Sequence, residues 1–411
     1  MIQSAVCRSG VFRDYPLRVL WLACLATAAG VAPAQTNYVL LHTFKGGPTD
    51  GAGPDGSLIL DSAGNLYGTT VYGGPAGNAN LYSGNGVVYK LSSSGKETML
   101  YNFTGTLGDG APYVGVIRDS AGNLYGTTYS GEVYELNSSG KETMSCILTD
   151  GYDLSAGVTR DSAGDLYGTT AYTANPPYGG LVYKVDAACN ETVLYNFTGG
   201  ADGGTPFAGV IRDSAGNLYG TTYGGGNASC HPPFNDIIGC GVVYKLHPNS
   251  KETVLYSFCA QPNCADGANP YAGVIRDSTG NLYGTTQYGG TSSSGVVYKL
   301  DTSRNLTVLY NFCTQPNCTD GGLPAAGVIR DASGNLYGTT YHGGAFGGGV
   351  VYKLDASGNE TVLYSFCAQP NCDDGENPYA GVILDGKGNL YGTADFGGKY
   401  NKGVVFKLEP Y

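Results

Sequence analysis

The chain has 411 residues, 67 of them glycine and 34 tyrosine, with 13% charged residues and a formal net charge of −11. The glycines keep no three-residue period, which excludes collagen, and 42% hydrophobic content excludes a disordered chain. Gly-rich turns between runs of Tyr, Val and Thr point to an all-β protein.

The first segment reads as an export signal. Arg8, Arg13 and Arg18 precede an apolar run from Val19 to Ala32, and Ala32-Pro33-Ala34 supplies a small-residue cleavage site. Residues 1–34 are the expected signal peptide and 35–411 a single domain; a lipoprotein reading at Cys24 is the alternative. The apolar run is too short for a comfortable membrane span, and no second one approaches that length. Without residues 1–34, 19 Lys and Arg face 32 Asp and Glu, a net charge of −13. That balance disfavours nucleic acid and anionic membranes as partners.

Next along the chain, Tyr38-Val-Leu-Leu-His-Thr-Phe44 reads as a strand without partners in its own neighbourhood. After it, Asn-Leu-Tyr-Gly-Thr-Thr or a near copy begins at Asn65, Asn123, Asp165, Asn217, Asn281, Asn335 and Asn389. Constant anchors at unequal spacing mean a fixed unit carrying variable loops. The unit at 271–312 shows its parts: a strand over 271–276, a tight turn, a strand over 281–286, a loop, a strand over 295–300, a second turn and a strand over 306–312. Four short strands per unit predict a blade, and seven units predict a seven-bladed β-propeller. The last unit stops at its third strand, Gly403–Leu408. The strand at 38–44 therefore completes the C-terminal blade and closes the ring, whereas an open solenoid would need polar caps.

Strand alternation sorts the connections onto two faces. Short, near-invariant turns such as 119–123 share one. The other carries the variable loops 71–85, 129–131, 171–179, 223–239, 287–294, 341–347 and 395–402, and is the expected binding face. Its cysteines fall in pairs, Cys259/Cys264, Cys313/Cys318, Cys367/Cys372 and Cys230/Cys240. An export signal favours disulfides over zinc, since histidines do not cluster with them. Cys146 and Cys189 can be paired or free.

On these residues the chain resembles bacterial exported proteins built from the GloVer tandem repeat, the choice-of-anchor group. The matching signature is G-V-I-x-D-x-x-G-N-L-Y-G-T-T, then G-V-V-Y-K-L, then E-T-V-L-Y-x-F, across 37–411. The resemblance implies export and a repeat scaffold but no established reaction. Members often carry a C-terminal surface anchor; this chain ends after a strand, so free secretion or periplasmic residence is expected. The D-x-x-G-N-L-Y turn is also similar to that of lactonase-like and streptogramin-lyase-like propellers, a local likeness that says little about chemistry.

Three sets of residues are candidates for function. Asp50, Asp109, Asp150, Asp202, Asp266, Asp320 and Asp374 precede the first strands as Asp-Gly pairs. They could ring the face and hold calcium, although Asp before Gly also serves turns. Aromatic residues follow the second strands at Tyr72, Tyr129, Tyr172, Tyr223, Tyr288, Tyr341 and Phe396, and others follow proline at Tyr113, Phe207, Tyr271 and Tyr379. They could stack on sugar rings or pack between blades. Arg118, Arg160, Arg212, Arg276 and Arg330 recur at one position, where an inter-blade ion pair is expected rather than an anion site.

No catalytic motif stands in a strand–turn–helix context, and the four mature histidines lie in dissimilar surroundings. The expected function is non-enzymatic binding of an extracellular glycan or envelope component by a monomer. No cofactor is expected beyond a possible calcium ion. A propeller hydrolase or lyase and a protein-interaction platform are the alternatives.

Overall fold

The computed structural model describes residues 36–75, 84–105, 110–173, 179–230 and 239–410. The expected signal peptide, Asp109, and much of the loops at 71–85, 171–179 and 223–239 lie outside the described residues.

The described residues form seven four-stranded antiparallel sheets arranged as the blades of a propeller. Blade 1 comprises Ile59–Leu60, Leu66–Thr70, Val87–Leu91 and Glu97–Asn102, from the innermost strand outward. Blades 2 to 6 repeat this order from innermost strands at Ile117–Arg118, Thr159–Arg160, Ile211–Arg212, Ile275–Arg276 and Ile329–Arg330. Blade 7 takes three strands from the C-terminal end, Ile383–Leu384, Leu390–Ala394 and Val404–Glu409, and its outer strand from Asn37–Thr43. Tyr38 pairs with Leu408 and Thr43 with Val404, so the ring closes as the sequence predicts.

Two repeated contacts bind each blade to the next. The first threonine of each Gly-Thr-Thr, or Gly-Thr-Ala in blade 7, donates its hydroxyl to a carbonyl beside the next innermost strand. Thr69 reaches Val114, Thr127 Ala156, Thr169 Ala208, Thr221 Ala272, Thr285 Ala326 and Thr339 Ala380, all at 2.8–3.0 Å. Thr393 completes the circle on Gly56 at 3.5 Å. Farther out, a phenylalanine ending the outer strand meets the next blade's third-strand ring edge-on. Phe44–Tyr89, Phe103–Tyr134, Phe197–Tyr244, Phe258–Tyr298, Phe312–Tyr352 and Phe366–Phe406 are separated by 5.0–5.3 Å. All twelve rings are essentially inaccessible, and burying each phenylalanine contributes roughly 2–3 kcal/mol. In blade 2, Leu148 takes the phenylalanine's place and shares a core with Tyr183.

One expectation needs correction. The strand predicted over 271–276 is regular only at Ile275–Arg276. Upstream, the Ala272 carbonyl accepts from Thr221 of the previous blade instead of from its own sheet. Gly273 also sits so close to blade 4 that a Cβ there would lie 3.2 Å from the Gly209 carbonyl oxygen. These segments become the wall of a central channel rather than longer strands.

Candidate functional site

The seven channel-wall segments enclose a cavity of about 830 Å³, reached among the connections of the variable-loop face. Small residues such as Gly115, Gly157, Gly209 and Gly327 form its wall, and rings and carboxylates form its rim.

Two repeat positions supply most of the rim. The first lies five residues before the end of each innermost strand: Asp55, Tyr113, Ser155, Phe207, Tyr271, Ala325 and Tyr379, all of which line the cavity. The second directly follows each second strand: Val71, Tyr129 (one residue farther on, past Thr128), Ala171, Tyr223, Gln287, Tyr341 and Asp395. Of these, Tyr129, Tyr341 and Asp395 line the cavity. The backbone that holds the second position recurs in every blade. Its N–H donates to the carbonyl of a residue with positive φ, as Tyr129 does to Ala111, Ala171 to Asp153, Tyr223 to Thr205 and Asp395 to Asn377.

This regularity divides the aromatic residues singled out in the sequence. Tyr129, Tyr223 and Tyr341 occupy the second position. Tyr72, Tyr172, Tyr288 and Phe396 stand one residue later, where they pair with the segment entering the blade. Ala52 pairs with Tyr72, Tyr152 with Tyr172, Ala268 with Tyr288 and Glu376 with Phe396. A one-residue offset sends a side chain to the other side of an extended chain, so the two sets have different surroundings. Phe396 still reaches the cavity. Tyr223 is buried against Phe207 and Tyr271 at 5.4 and 6.0 Å, and Tyr172 stacks on Tyr152 at 5.6 Å.

Three of the four rings that follow proline form a connected group. Phe207 stacks on Tyr271 at 5.1 Å, Tyr271 meets Tyr379 edge-on at 5.6 Å, and Tyr379 meets Tyr341 at 6.1 Å. Across the cavity Tyr113 lies 5.3 Å from Tyr129. Burial, then the neighbouring Tyr271 hydroxyl, drives the Tyr379 hydroxyl far above its ordinary range.

Three carboxyl groups at the rim were not singled out in the sequence. Asp55 and Asp395 come from blades 1 and 7 and meet across the ring closure. Burial lifts Asp55 well above the carboxylate range, and the adjacent Asp395 carboxyl adds to that effect. Asp395 is raised by burial too, while its hydrogen bond with Asp55 opposes the rise, so the pair shares a proton with Asp395 accepting. Asp55 Oδ1 is closed off from solvent and has no hydrogen-bond partner among the described residues. Asp153 is also raised by burial, although Ser155 donates a hydroxyl to it. The signal for the first pair was a break in the repeat: Asp395 ends Leu-Tyr-Gly-Thr-Ala-Asp, and Asp55 follows Pro54 where four other blades place an aromatic after proline.

The described Asp-Gly carboxylates do not line the cavity, and most lie against the outer strands. Asp266, Asp320 and Asp374 are fully buried, and each accepts the hydroxyl of an outer-strand tyrosine (Tyr256, Tyr310 or Tyr364) together with two backbone N–H groups. Asp202 accepts from Tyr195 and Thr198. In blade 2 that tyrosine is replaced by Cys146, and Asp150 is exposed. In blade 7 it is replaced by His42, whose Nε2 lies 3.6 Å from Asp50 and 3.8 Å from Glu97. His42, Asp50 and Glu97 converge closely enough to hold an ion, as do the sulfurs of Cys230, Cys240, Cys259 and Cys264. Those cysteines are joined as the disulfides Cys230–Cys240 and Cys259–Cys264, with Cys313–Cys318 and Cys367–Cys372 paired likewise. Cys146 and Cys189, left open by the sequence, form a fifth disulfide joining blade 2 to blade 3.

On the short-turn face, each recurring arginine lies over a tyrosine ring of the preceding blade. Arg118 covers Tyr67, Arg160 Tyr125, Arg212 Tyr167, Arg276 Tyr219 and Arg330 Tyr283, at 5.0–5.7 Å. The expected ion pair is present as Arg212–Asp161 at 3.9 Å, but the ring is the partner common to all five. The cause is that each turn aspartate already accepts the hydroxyl of that same tyrosine, as Asp61 does from Tyr67.

Comparison with known proteins places the fold. A streptogramin B lyase structure superposes with a TM-score of 0.56 at 13% identity, over 91% of this chain and 98% of that one. PorZ of Porphyromonas gingivalis, described as an essential surface component of the type-IX secretion system, superposes with a TM-score of 0.53 at 13% identity. That match takes in 89% of this chain and 47% of PorZ. Such identities show a shared fold alone. No curated protein matches the chain. The Gloeobacter/Verrucomicrobia repeat matches residues 30–232 and again 233–411, and the chain belongs to that family.

Proposed function

We propose that this protein is an exported, non-enzymatic binding propeller that takes an extracellular or envelope ligand, with glycans the leading class, into the mouth of its central channel. The observation that supports this reading most is the departure from sevenfold repetition at the rim. The blades share their turns, inter-blade threonines and core rings. At the two rim positions they differ, and there the chain places rings and carboxylates around a cavity of ligand size. Flat aromatic faces suit the apolar faces of sugar rings. Five disulfides fit an oxidising compartment outside the cytoplasm.

A glycan array probed with the purified protein and with Phe207→Ala tests the reading. The expected result is a selective glycan signal that falls at least tenfold in the variant, roughly the loss of one stacked ring. Signal from no glycan and no envelope extract would overturn it. One observation favours a second reading, a hydrolase or lyase: two carboxyl groups sharing a proton can act as acid and base. Turnover of a sugar or lactone that is lost in Asp55→Asn would establish it.

A further inference from the structure

The rim is built for a ligand of one charge. The cavity is lined by Asp55, Asp153 and Asp395, and among the described residues no lysine, arginine or histidine lines it. A carboxylate enclosed without a cation is costly, and proteins relieve that cost by pairing it or by keeping it protonated. Asp55 is in the second condition. One of its oxygens has no partner, and its neighbour is another acid. Tyr113, Tyr271 and Tyr379 line the same cavity, with their hydroxyls within electrostatic reach of Asp55. A hard divalent ion needs about six to eight oxygen donors, more than the four carboxylate oxygens of the Asp55–Asp395 pair offer. An ammonium group is satisfied by this combination: a carboxylate to pair with and the hydroxyls of the lining tyrosines to accept its remaining N–H groups.

Building on the binding reading above, we propose that the channel mouth selects a protonated amine, such as the ammonium group of a de-N-acetylated amino sugar, with the Asp55–Asp395 pair as its counter-ion. The shared proton holds the place of the ligand's charge and leaves when the amine enters. The ionisable groups lining the cavity are Asp55, Asp153, Asp395, Tyr113, Tyr129, Tyr271, Tyr341 and Tyr379. This property rests on the joint between the first and last blades, because only there do both rim positions carry an acid.

The test uses chitotriose and its fully deacetylated counterpart, titrated calorimetrically into the mature protein. The work is done at about 0.3 M salt, which screens general attraction to an acidic surface. The deacetylated sugar should bind roughly tenfold or more tightly than the acetylated one, and should release protons, seen as a heat that depends on the buffer. Asp395→Val and Asp55→Tyr adopt residues that other blades carry at the same repeat positions (Val71 and Tyr113), so both preserve the fold. Each should bring the two sugars within about threefold of each other, while Asp150→Asn, an exposed acid, should leave the preference intact. If both sugars bind the parent protein equally, or Asp395→Val retains the preference, the amine assignment falls and the binding reading stands. If neither sugar binds while other glycans do, the assignment to amino sugars falls. If no glycan binds at all, both fall. Calcium that competes with the amine would replace it as the ligand and overturn the proposal.

Discussion

Two groups of aspartates in this molecule hold opposite states. In the turns on one face, Asp61, Asp119, Asp161, Asp213, Asp277, Asp331 and Asp385 accept hydrogen bonds from the turn backbone and from a tyrosine hydroxyl. These bonds outweigh their modest burial and hold all seven below the usual carboxylate range. At the channel mouth Asp55, Asp153 and Asp395 are raised by burial. An aspartate present in every blade is satisfied by its blade. Those that break the pattern are left with something to gain.

Cys146–Cys189 is the sharpest challenge to that contrast, because it is unique to one blade pair yet lies far from the cavity. It spans 43 residues, against 5 for each Cys-x4-Cys pair. Cys146→Ser with Cys189→Ser should cost about 4 kcal/mol in denaturant unfolding, and one short pair about 2. A smaller loss for the long one would mean that blades 2 and 3 are already fixed by the threonine and core contacts.

The two aspartate groups should differ in the sign of their mutational effect. Asp277→Ala removes the acceptor for the Asn281 N–H, the Asn281 amide, the Thr279 hydroxyl and the Tyr283 hydroxyl, and should cost about 2 kcal/mol in an exposed turn. Asp55→Asn removes a half-buried, unsatisfied acid and should stabilise by about 1 kcal/mol at neutral pH. Destabilisation by Asp55→Asn would show that the pair holds the joint together.

A further expected effect is on pH. The turn aspartates contribute stability that is present above their unfolded values near 3.8 and is lost as pH falls through their lowered folded values. Burial of outer-strand glutamates acts the other way. Glu252 is pushed up to about 7, by burial first and then by Asp202, and Glu360 to about 8, by burial and then Asp320. Their contribution is complete below the ordinary value of 4.5 and fades as pH rises through 7 to 8. The melting temperature should therefore peak near pH 4–5 and decline toward both sides. A flat profile from 5 to 8 would mean that these glutamates are hydrated.

Much of this was legible before any coordinates. Asn-Leu-Tyr-Gly-Thr-Thr marks the second strand in all seven blades because each letter has a fixed duty. The glycine, for example, makes room for the next strand's tyrosine: a Cβ at Gly68 would lie 2.5 Å from the Tyr89 hydroxyl. Pairing of 38–44 with the C-terminal strand followed from counting strands. The rim was harder to see. Tyr341 and Phe396 look equivalent in the sequence, but they differ by one residue in register, and register decides direction. Asp55 and Asp395 are 340 positions apart, and nothing local indicates that they meet. The Cys146–Cys189 bond was hidden for a similar reason, since its two halves sit in dissimilar places, an outer strand and a turn.

The closing strand has a consequence for how the chain reaches this state. Asn37–Thr43 emerges among the first residues of the domain, but its partner Val404–Glu409 emerges among the last, and the Thr393–Gly56 contact also waits for the far end. Six blades can gather in order as they appear, each on the one before. The seventh cannot form until the whole domain is available, so the earliest strand must remain unpaired throughout. Pairing across so long a stretch is slow, and an unpaired apolar strand is prone to bind the wrong edge in the meantime. The joint that carries the acid pair is thus the last part of the molecule to exist, and ligand binding there would report that folding has finished.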